Sequence, residues 1–220
     1  EGKQFEFEMG FFNHWHEILD IQEGCIKFIL SYLHEHAKIE IEILGNKIIQ
    51  APSNVPFPRL TIKEAQELYY ERTGDDERHE PDLSPAADRE LCSWALEKYG
   101  TELVFVIDWQ TAKRPFYAYP SDEDPHLTNT FDLLCGGTEI TSGGQRRHTH
   151  ASMLEGLKMK GMDSSSFTDY LSIFKYGMPP HGGFGMGLER LTQKFLGLPN
   201  VKEATLFPRD MNRIDTLLSQ

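Results

Sequence analysis

The segment PPHGGFGMGLERLTQKFLGL (179–198) places a cluster of glycines directly before a helix-like pattern, with an arginine where the two meet. The glycines are Gly182, Gly183, Gly185 and Gly187. They leave backbone with little side-chain bulk, so a flat ring could lie directly against it. Arg190 stands in the first turn of the expected helix, and its guanidinium could reach back to a phosphate or stack on a ring. A glycine-rich turn with a solvated arginine explains the same spacing, and the spacing alone does not decide between them.

A second segment, GGTEITSGGQRRH (136–148), combines a carboxylate, a hydroxyl and an arginine. Side chains alternate faces along a strand, but a bulge near Gly143–Gly144 could bring Glu139 and Ser142 to one site. A carboxylate with a hydroxyl suits Mg²⁺ held mainly by phosphates, because this ion keeps waters and needs few protein ligands. Arg146 follows as a bidentate donor for a carboxylate. An edge hairpin with exposed polar residues is the competing interpretation, and it is favoured when the segment is taken alone.

A third segment, KRPFY (113–117), holds Arg114 beside a proline that fixes the entry to a strand. If Arg114 lies near Arg146, the two arginines would make a pocket for an acidic side chain. A lone cation on the surface is the simpler explanation of Arg114. All three segments supply groups that recognise anions, so together they favour a binding site. Four histidines are also candidates for a metal site: His14, His16, His34 and His36. They lack the i, i+4 spacing of helical metal ligands, so we interpret them as surface residues.

Composition limits the classes of function. The chain has 220 residues, of which 39% are hydrophobic and 25% charged, and its net charge is −12. A surface this acidic argues against general binding of nucleic acid, whose affinity depends on neutralising phosphates. No apolar run reaches the roughly 18 residues of a membrane helix, and no signal-peptide pattern is present. Three widely spaced cysteines fit neither a disulfide framework nor a zinc site, so we expect a cytoplasmic protein.

Periodicity predicts the elements that must position these residues. Strands are expected at QFEFEMGF, IEIEIL, ELVFVIDW (102–109), PFYAY (115–119), TNTFDLLCGGTEITSG (128–143, turning at Gly136–Gly137) and EATLF (203–207). Helices are expected up to about Ala37, after Thr61 with its capping partner Glu64, after Ser84–Pro85, over about 151–160 and 164–176, and after the glycine cluster. The fold class is therefore α+β, with a mostly antiparallel sheet flanked by helices.

The anion-recognising segments together resemble motifs of the class II aminoacyl-tRNA synthetase catalytic domain, in its aspartyl and asparaginyl subgroup. HGGFGMGLERL resembles the third motif of that family. The resemblance implies that Arg190 contacts the ATP phosphates and that Gly185 and Gly187 floor the adenine site. TEITSGGQRRH resembles the family segment E-I-S-S-G-A-Q-R-I-H, which implies that Glu139 and Ser142 contact ATP and Mg²⁺.

The same resemblance implies an aspartate pocket. Arg146 would grip the side-chain carboxylate of the substrate. Arg114 stands where archaeal-type aspartyl enzymes often carry a lysine near the amino acid, and Asp132, in the family landmark FDLL, is a weaker candidate for the pocket. The ending LFPRDMNR resembles the archaeal and eukaryotic aspartyl branch. Because the match covers essentially the whole chain, residues 1–220 are expected to form one catalytic domain.

The resemblance implies an enzyme that activates aspartate with ATP and Mg²⁺ and transfers it to tRNA, acting as a homodimer. The family's first motif, most of its second motif and its OB-fold anticodon domain are not recognised in the sequence. Two alternatives therefore stay open. One is a tRNA-independent paralogue, similar to archaeal asparagine synthetase-like proteins, that makes asparagine from aspartate, ATP and ammonia. The other is an inactive remnant that binds a nucleotide or a protein.

Overall fold

The structure, a computed structural model, describes residues 2–45 and 49–209. Within them, six strands form one sheet in the order β1-β6-β5-β4-β3-β2. The strands are β1 (Gln4–Gly10), β2 (Arg59–Thr61), β3 (Leu103–Ile107), β4 (Thr130–Cys135), β5 (Glu139–Gln145) and β6 (His181–Gly187). All neighbours pair antiparallel except β2 and β3, which are parallel. The predicted α+β class, with a mostly antiparallel sheet flanked by helices, is confirmed.

The described residues form seven α-helices, three of which begin at a capping side chain. They are α1 (His16–His36), α2 (Lys38–Ile43), α3 (Ile62–Thr73), α4 (Pro85–Tyr99), α5 (His150–Met159), α6 (Thr168–Ser172) and α7 (Leu188–Phe195). Thr61 and Glu64 form the expected capping box, and Ser84 accepts a hydrogen bond from the Ala87 amide at the start of α4. No helix of the described residues has the length and apolar character that crossing a bilayer requires.

The two faces of the sheet are covered differently. The back face carries Phe7, Phe131 and Phe184, and α1 packs over it to form the larger core. The front face is covered only over β3 and the end of β4, where α3 and α4 pack on Val104 and Val106. Among the described residues, no helix core packs on the front of β1, β6 and β5, so this half of the face leaves room for a ligand.

Three predicted strands are wrong. IEIEIL lies mostly in α2, where Ile41 is buried while Ile39 and Ile43 are exposed, so the alternating pattern does not reflect a sheet with one buried face. PFYAY (115–119) is an irregular turn rather than a strand. It forms an isolated bridge between Ala118 and Arg146, just after β5, and the Tyr119 amide donates to the Gln145 carbonyl at 3.0 Å. EATLF begins inside a 3₁₀ helix, Val201–Ala204.

Two other predictions need a correction or fall outside the described part. The helix expected over 164–176 is divided into a 3₁₀ turn (Ser164–Phe167), α6 and a second 3₁₀ turn (Ile173–Tyr176). Of the segment LFPRDMNR, the residues from 210 onward lie outside the described residues. The hairpin predicted at Gly136–Gly137 is confirmed, and both glycines have positive φ, at 52° and 75°.

Candidate active site

The open half of the front face is formed by an acidic strand lying beside a glycine strand. Gln4, Glu6 and Glu8 of β1 pair with Gly187, Gly185 and Gly183 of β6. A side chain added at Gly185 would meet nothing within 4 Å, so this backbone borders open space. Two cavities, of about 460 and 660 Å³, adjoin above it and share Gln4, Ser142 and Gly185 as lining residues. The arrangement can accept one extended ligand with a flat part and charged parts.

A bulge in β5 brings Glu139 to the same face as Ser142. Leu133 pairs with Thr141 while Leu134 pairs with Glu139, so Ile140 is the extra residue. The bulge expected near Gly143–Gly144 is therefore misplaced, because those glycines pair regularly with Phe131 and Thr130. Its expected consequence nevertheless holds, since Glu139 and Ser142 line the 660 Å³ cavity together.

Arg190 closes this larger cavity from the start of α7. Its Nη1 donates to the backbone carbonyl of Glu139 at 2.6 Å, while Gly187 caps the helix and lines the same cavity. The sequence segments 136–148 and 179–198 thus meet in space. A guanidinium beside glycine backbone can hold a phosphate while a planar base lies on the strand.

Carboxylates crowd the border between the open and the covered half of the face. Burial, followed by the charge of Asp132, raises the pKa of Glu139 to about 7. Burial and the charges of Glu139 and Asp132 raise the pKa of Asp88, in the first turn of α4, to about 7 as well. One buried oxygen, Asp132 Oδ1, has no hydrogen-bond partner among the described residues.

These observations fit a divalent cation. A cation would relieve the repulsion between Glu139 and Asp132, and a carboxylate with the Ser142 hydroxyl is a donor set that Mg²⁺ accepts. Within the described residues no three side chains of His, Cys, Asp or Glu converge as a metal site. The protein would therefore supply only a few ligands to an ion here, and phosphate oxygens would supply most of the others, as is common for Mg²⁺.

The smaller cavity contains both predicted substrate arginines, held in different ways. Arg114 donates from Nη2 to Asp132 at 2.6 Å and from Nη1 to Ser142 Oγ at 3.2 Å, and its guanidinium lies 4.5 Å from the centre of the Trp109 ring. Burial raises the pKa of Asp132 above its ordinary value, and Arg114 opposes this shift. Both terminal nitrogens of Arg114 are thus already hydrogen-bonded to protein groups.

The side chain of Arg146 bonds other described groups through its Nε atom only. Its Nε donates to Glu8 Oε1 at 3.3 Å, and its guanidinium lies 5.5 Å from the Tyr117 ring. No hydrogen bond from its terminal nitrogens to another described side chain or backbone group is observed. Two parallel N–H donors facing a cavity are suited to a carboxylate.

Sequence reasoning missed the acidic residues of β1 and the half-buried Asp88. The alternation in QFEFEMG could have found the first group, because it places Glu6 and Glu8 on the face opposite Phe5 and Phe7. Glu6 lines the smaller cavity near both arginines and can accept hydrogen bonds from an ammonium group. No local pattern marks Asp88, whose neighbours come from distant strands.

The sequence of this chain matches a known protein family along nearly its whole length. The family model described as "tRNA synthetases class II (D, K and N)" matches residues 1–211. The chain belongs to this class II tRNA synthetase family. A Thermus thermophilus protein named aspartate–tRNA(Asp/Asn) ligase is 45% identical over 209 residues, which make up 95% of this chain and 48% of that protein. A Pyrococcus furiosus aspartate–tRNA(Asp) ligase is 37% identical over 214 residues, 97% of this chain and 48% of that protein.

Solved structures of this synthetase family share the fold. An aspartyl-tRNA synthetase from Entamoeba histolytica superposes with a TM-score of 0.90 at 32% identity, covering 97% of this chain and 44% of that one. An asparaginyl-tRNA synthetase from Pyrococcus horikoshii, complexed with asparaginyl-adenylate, gives a TM-score of 0.82 at 27% identity, with coverage of 96% and 48%. This class II synthetase chain thus spans about half the length of the curated relatives it matches.

Proposed function

We propose that residues 1–220 form the catalytic domain of a cytoplasmic, homodimeric aspartate–tRNA ligase. The α-carboxylate of aspartate would attack the α-phosphorus of ATP, releasing pyrophosphate and leaving aspartyl-adenylate, whose acyl group then passes to a tRNA hydroxyl. The observation that supports this most is the joining of two cavities along Gly185: one has Arg146 with its fork unpaired by described groups, and the other has Arg190 beside Glu139.

The nucleotide would occupy the larger cavity. The adenine ring would lie on the backbone of Gly185 and Gly187, and Arg190 would hold a phosphate. Glu139 and Ser142 would hold Mg²⁺, which when bound supplies charge neutralisation to the phosphates. No side chain acts as a covalent nucleophile in this scheme, so the chain accelerates the reaction by positioning the two substrates and stabilising developing charge.

Aspartate would occupy the smaller cavity. Arg146 would pair with its side-chain carboxylate, and Glu6 would accept from its ammonium group. Asparagine in the same position would leave part of a largely buried guanidinium without its charged partner, which costs about 1–3 kcal/mol or more. Arg114 would contribute indirectly, by neutralising Asp132 beside the substrate.

Aspartate-dependent exchange of pyrophosphate into ATP, measured on the natural protein, tests this proposal. Arg146→Ala should lower kcat/KM for aspartate by about 30-fold or more, since truncating one partner of a buried charge pair costs about 2–5 kcal/mol. Arg78→Ala is a matched control, because Arg78 lines neither cavity and pairs with Asp76 and Glu67. An unchanged rate in Arg146→Ala would rule out the assigned role.

The net charge of −12 favours a second candidate, the tRNA-independent paralogue that makes asparagine from aspartate, ATP and ammonia. Incubation with aspartate, ATP and ammonium, without tRNA, separates the two. Formation of asparagine would support the paralogue, and aspartyl-tRNA formed only when tRNA is added would support the ligase. If calorimetry detects binding of neither ATP nor an aspartyl-adenylate analogue, the result would instead support a remnant without activity.

A further inference from the structure

Trp109 lies directly against the guanidinium of Arg114. The distance from Arg114 Cζ to the ring centre is 4.5 Å, within the range of a cation–π contact. Trp109 is 4% exposed, and burial strengthens such a contact because water does not compete for the cation. The indole therefore forms one wall behind the smaller cavity without lining it.

The indole is itself held firmly. Its Nε1 donates to the carbonyl of Val106 at 3.1 Å, and the Trp109 carbonyl accepts from both the amide and the hydroxyl of Thr128, at 2.8 and 2.9 Å. The ring packs in the core between the front of the sheet and helices α3 and α4. Its position is thus set by the fold, whether or not a ligand is bound.

The hydrogen bonds of Arg114 leave one motion unrestrained. Its Nη1 atom donates to Ser142 and its Nη2 atom donates to Asp132. The Nε atom is buried and has no partner among the described residues. Two bonds still allow the guanidinium plane to tilt about the line that joins their two acceptors, and stacking on a flat ring restrains this tilt.

We propose that Trp109 is a positioning residue for amino-acid selection, holding Arg114 so that it neutralises Asp132 beside the substrate. This inference rests on the proposed function of the smaller cavity as the aspartate site. If Arg114 tilts away, the Asp132 carboxylate faces the carboxylate of the substrate and repels it. The effect falls mainly on aspartate, because Arg114 itself lines the smaller cavity and reaches the larger one only through its bond to Ser142.

Two substitutions of Trp109 test the role of the ring face. Trp109→Met fills the site without an aromatic face, and we expect the KM for aspartate to rise about tenfold while the KM for ATP changes less than about twofold. Trp109→Phe keeps a ring and should raise the KM for aspartate only about two- to threefold. Equal aspartate KM values in the Phe and Met variants would overturn the inference.

A double-mutant cycle with Arg114→Met separates positioning from a purely structural role. If Trp109 acts through Arg114, Trp109→Met should change the aspartate KM less than about twofold in the Arg114→Met background. The same tenfold rise in both backgrounds would contradict the inference. Thermal melting is recorded for every variant, since a structural role alone lowers Tm and leaves the two KM values changing in parallel.

The outcomes also separate this inference from the proposed function. If Trp109→Met does not fold, the cycle is run with Trp109→Phe, whose smaller rise must likewise vanish in the Arg114→Met background. Wild-type protein that shows no aspartate-dependent exchange would refute the proposed function. Wild-type protein that activates aspartate, together with additive substitutions, would refute only the role of Trp109.

Discussion

At the scale of single residues, the site is defined by carboxylates that the fold places close together. Glu139 reaches the border of the open face through the bulge at Ile140, where Asp132 is already buried. Two arginines, Arg114 and Arg190, partly offset their charge. Burial, together with the remaining repulsion from Asp132, raises the pKa of Glu139 to about 7, so its charge state changes near neutral pH.

This shift predicts how stability depends on pH without ligand. The folded protein keeps the proton of Glu139 up to about pH 7, whereas the unfolded chain releases it near its ordinary value of 4.5. The free energy of unfolding should therefore fall as pH rises from 4.5 to about 7 and then level off. Glu139→Gln should remove part of this slope in thermal melts recorded across that range.

Asp88 supplies the control for the pH experiment. Its pKa is also raised to about 7, so Asp88→Asn should remove a further part of the slope. The pKa of Asp163 shifts in the opposite direction, because hydrogen bonds from Ser165 lower it. Asp163→Asn should therefore leave the slope in place. A full slope in Glu139→Gln would show that this carboxyl group is not responsible.

At the scale of secondary-structure elements, the glycines of β5 and β6 fall into two groups, one in close packing and one facing open space. A side chain at Gly143 would approach the Gly183 carbonyl at 2.6 Å and the Phe131 and Phe184 side chains at 2.7 Å. Gly185, only one strand away and paired with Ser142, has open space above it. The same residue type therefore serves two different purposes in neighbouring strands.

An alanine at each position separates these purposes. Gly143→Ala should lower the free energy of unfolding by about 1–3 kcal/mol, as overpacking does in a closed core. Gly185→Ala should leave Tm nearly unchanged but raise the KM for ATP, because the new methyl group lifts the ring from the strand. Chemical denaturation and exchange kinetics measure the two effects, and a large loss of stability in Gly185→Ala would contradict the open space.

The elements also show what the sequence can predict. Strand β1 and the β4–β5 hairpin follow from alternation and from glycines, and the capped starts of α3 and α4 follow from Thr61 and Ser84, because these signals are local. Helix α2 could not be predicted from alternation, since Ile41 is buried by contacts with other elements. The location of the bulge and the partial burial of Asp88 depend on pairing and packing between distant segments.

At the scale of the whole molecule, coverage of the sheet decides where a ligand can bind. Helices α3 and α4 cover the front of β3, α1 covers the back, and the front of β6 remains open. The net charge of the chain is −12, whereas both substrates of the proposed reaction, ATP and aspartate, are anions. The arginines of the open face, Arg146 and Arg190, supply positive potential locally.

This charge distribution predicts weak binding of tRNA by residues 1–220 as an isolated chain. At about 150 mM salt we expect no saturable binding of tRNA in the micromolar range, because few phosphates can be neutralised. An aspartyl-adenylate analogue should still bind, and it serves as the control for a folded site. Filter binding and calorimetry measure the two ligands, and micromolar affinity for tRNA would contradict the charge argument.

The empty space above Gly185 has a consequence for large-scale mutagenesis. Selections that score only abundance or resistance to proteolysis would report position 185 as permissive, since small substituents there disturb no neighbour. Selections that require ligand occupancy would report it as intolerant. Disagreement between the two kinds of screen would therefore trace the footprint of the ligand on the strand without any bound complex.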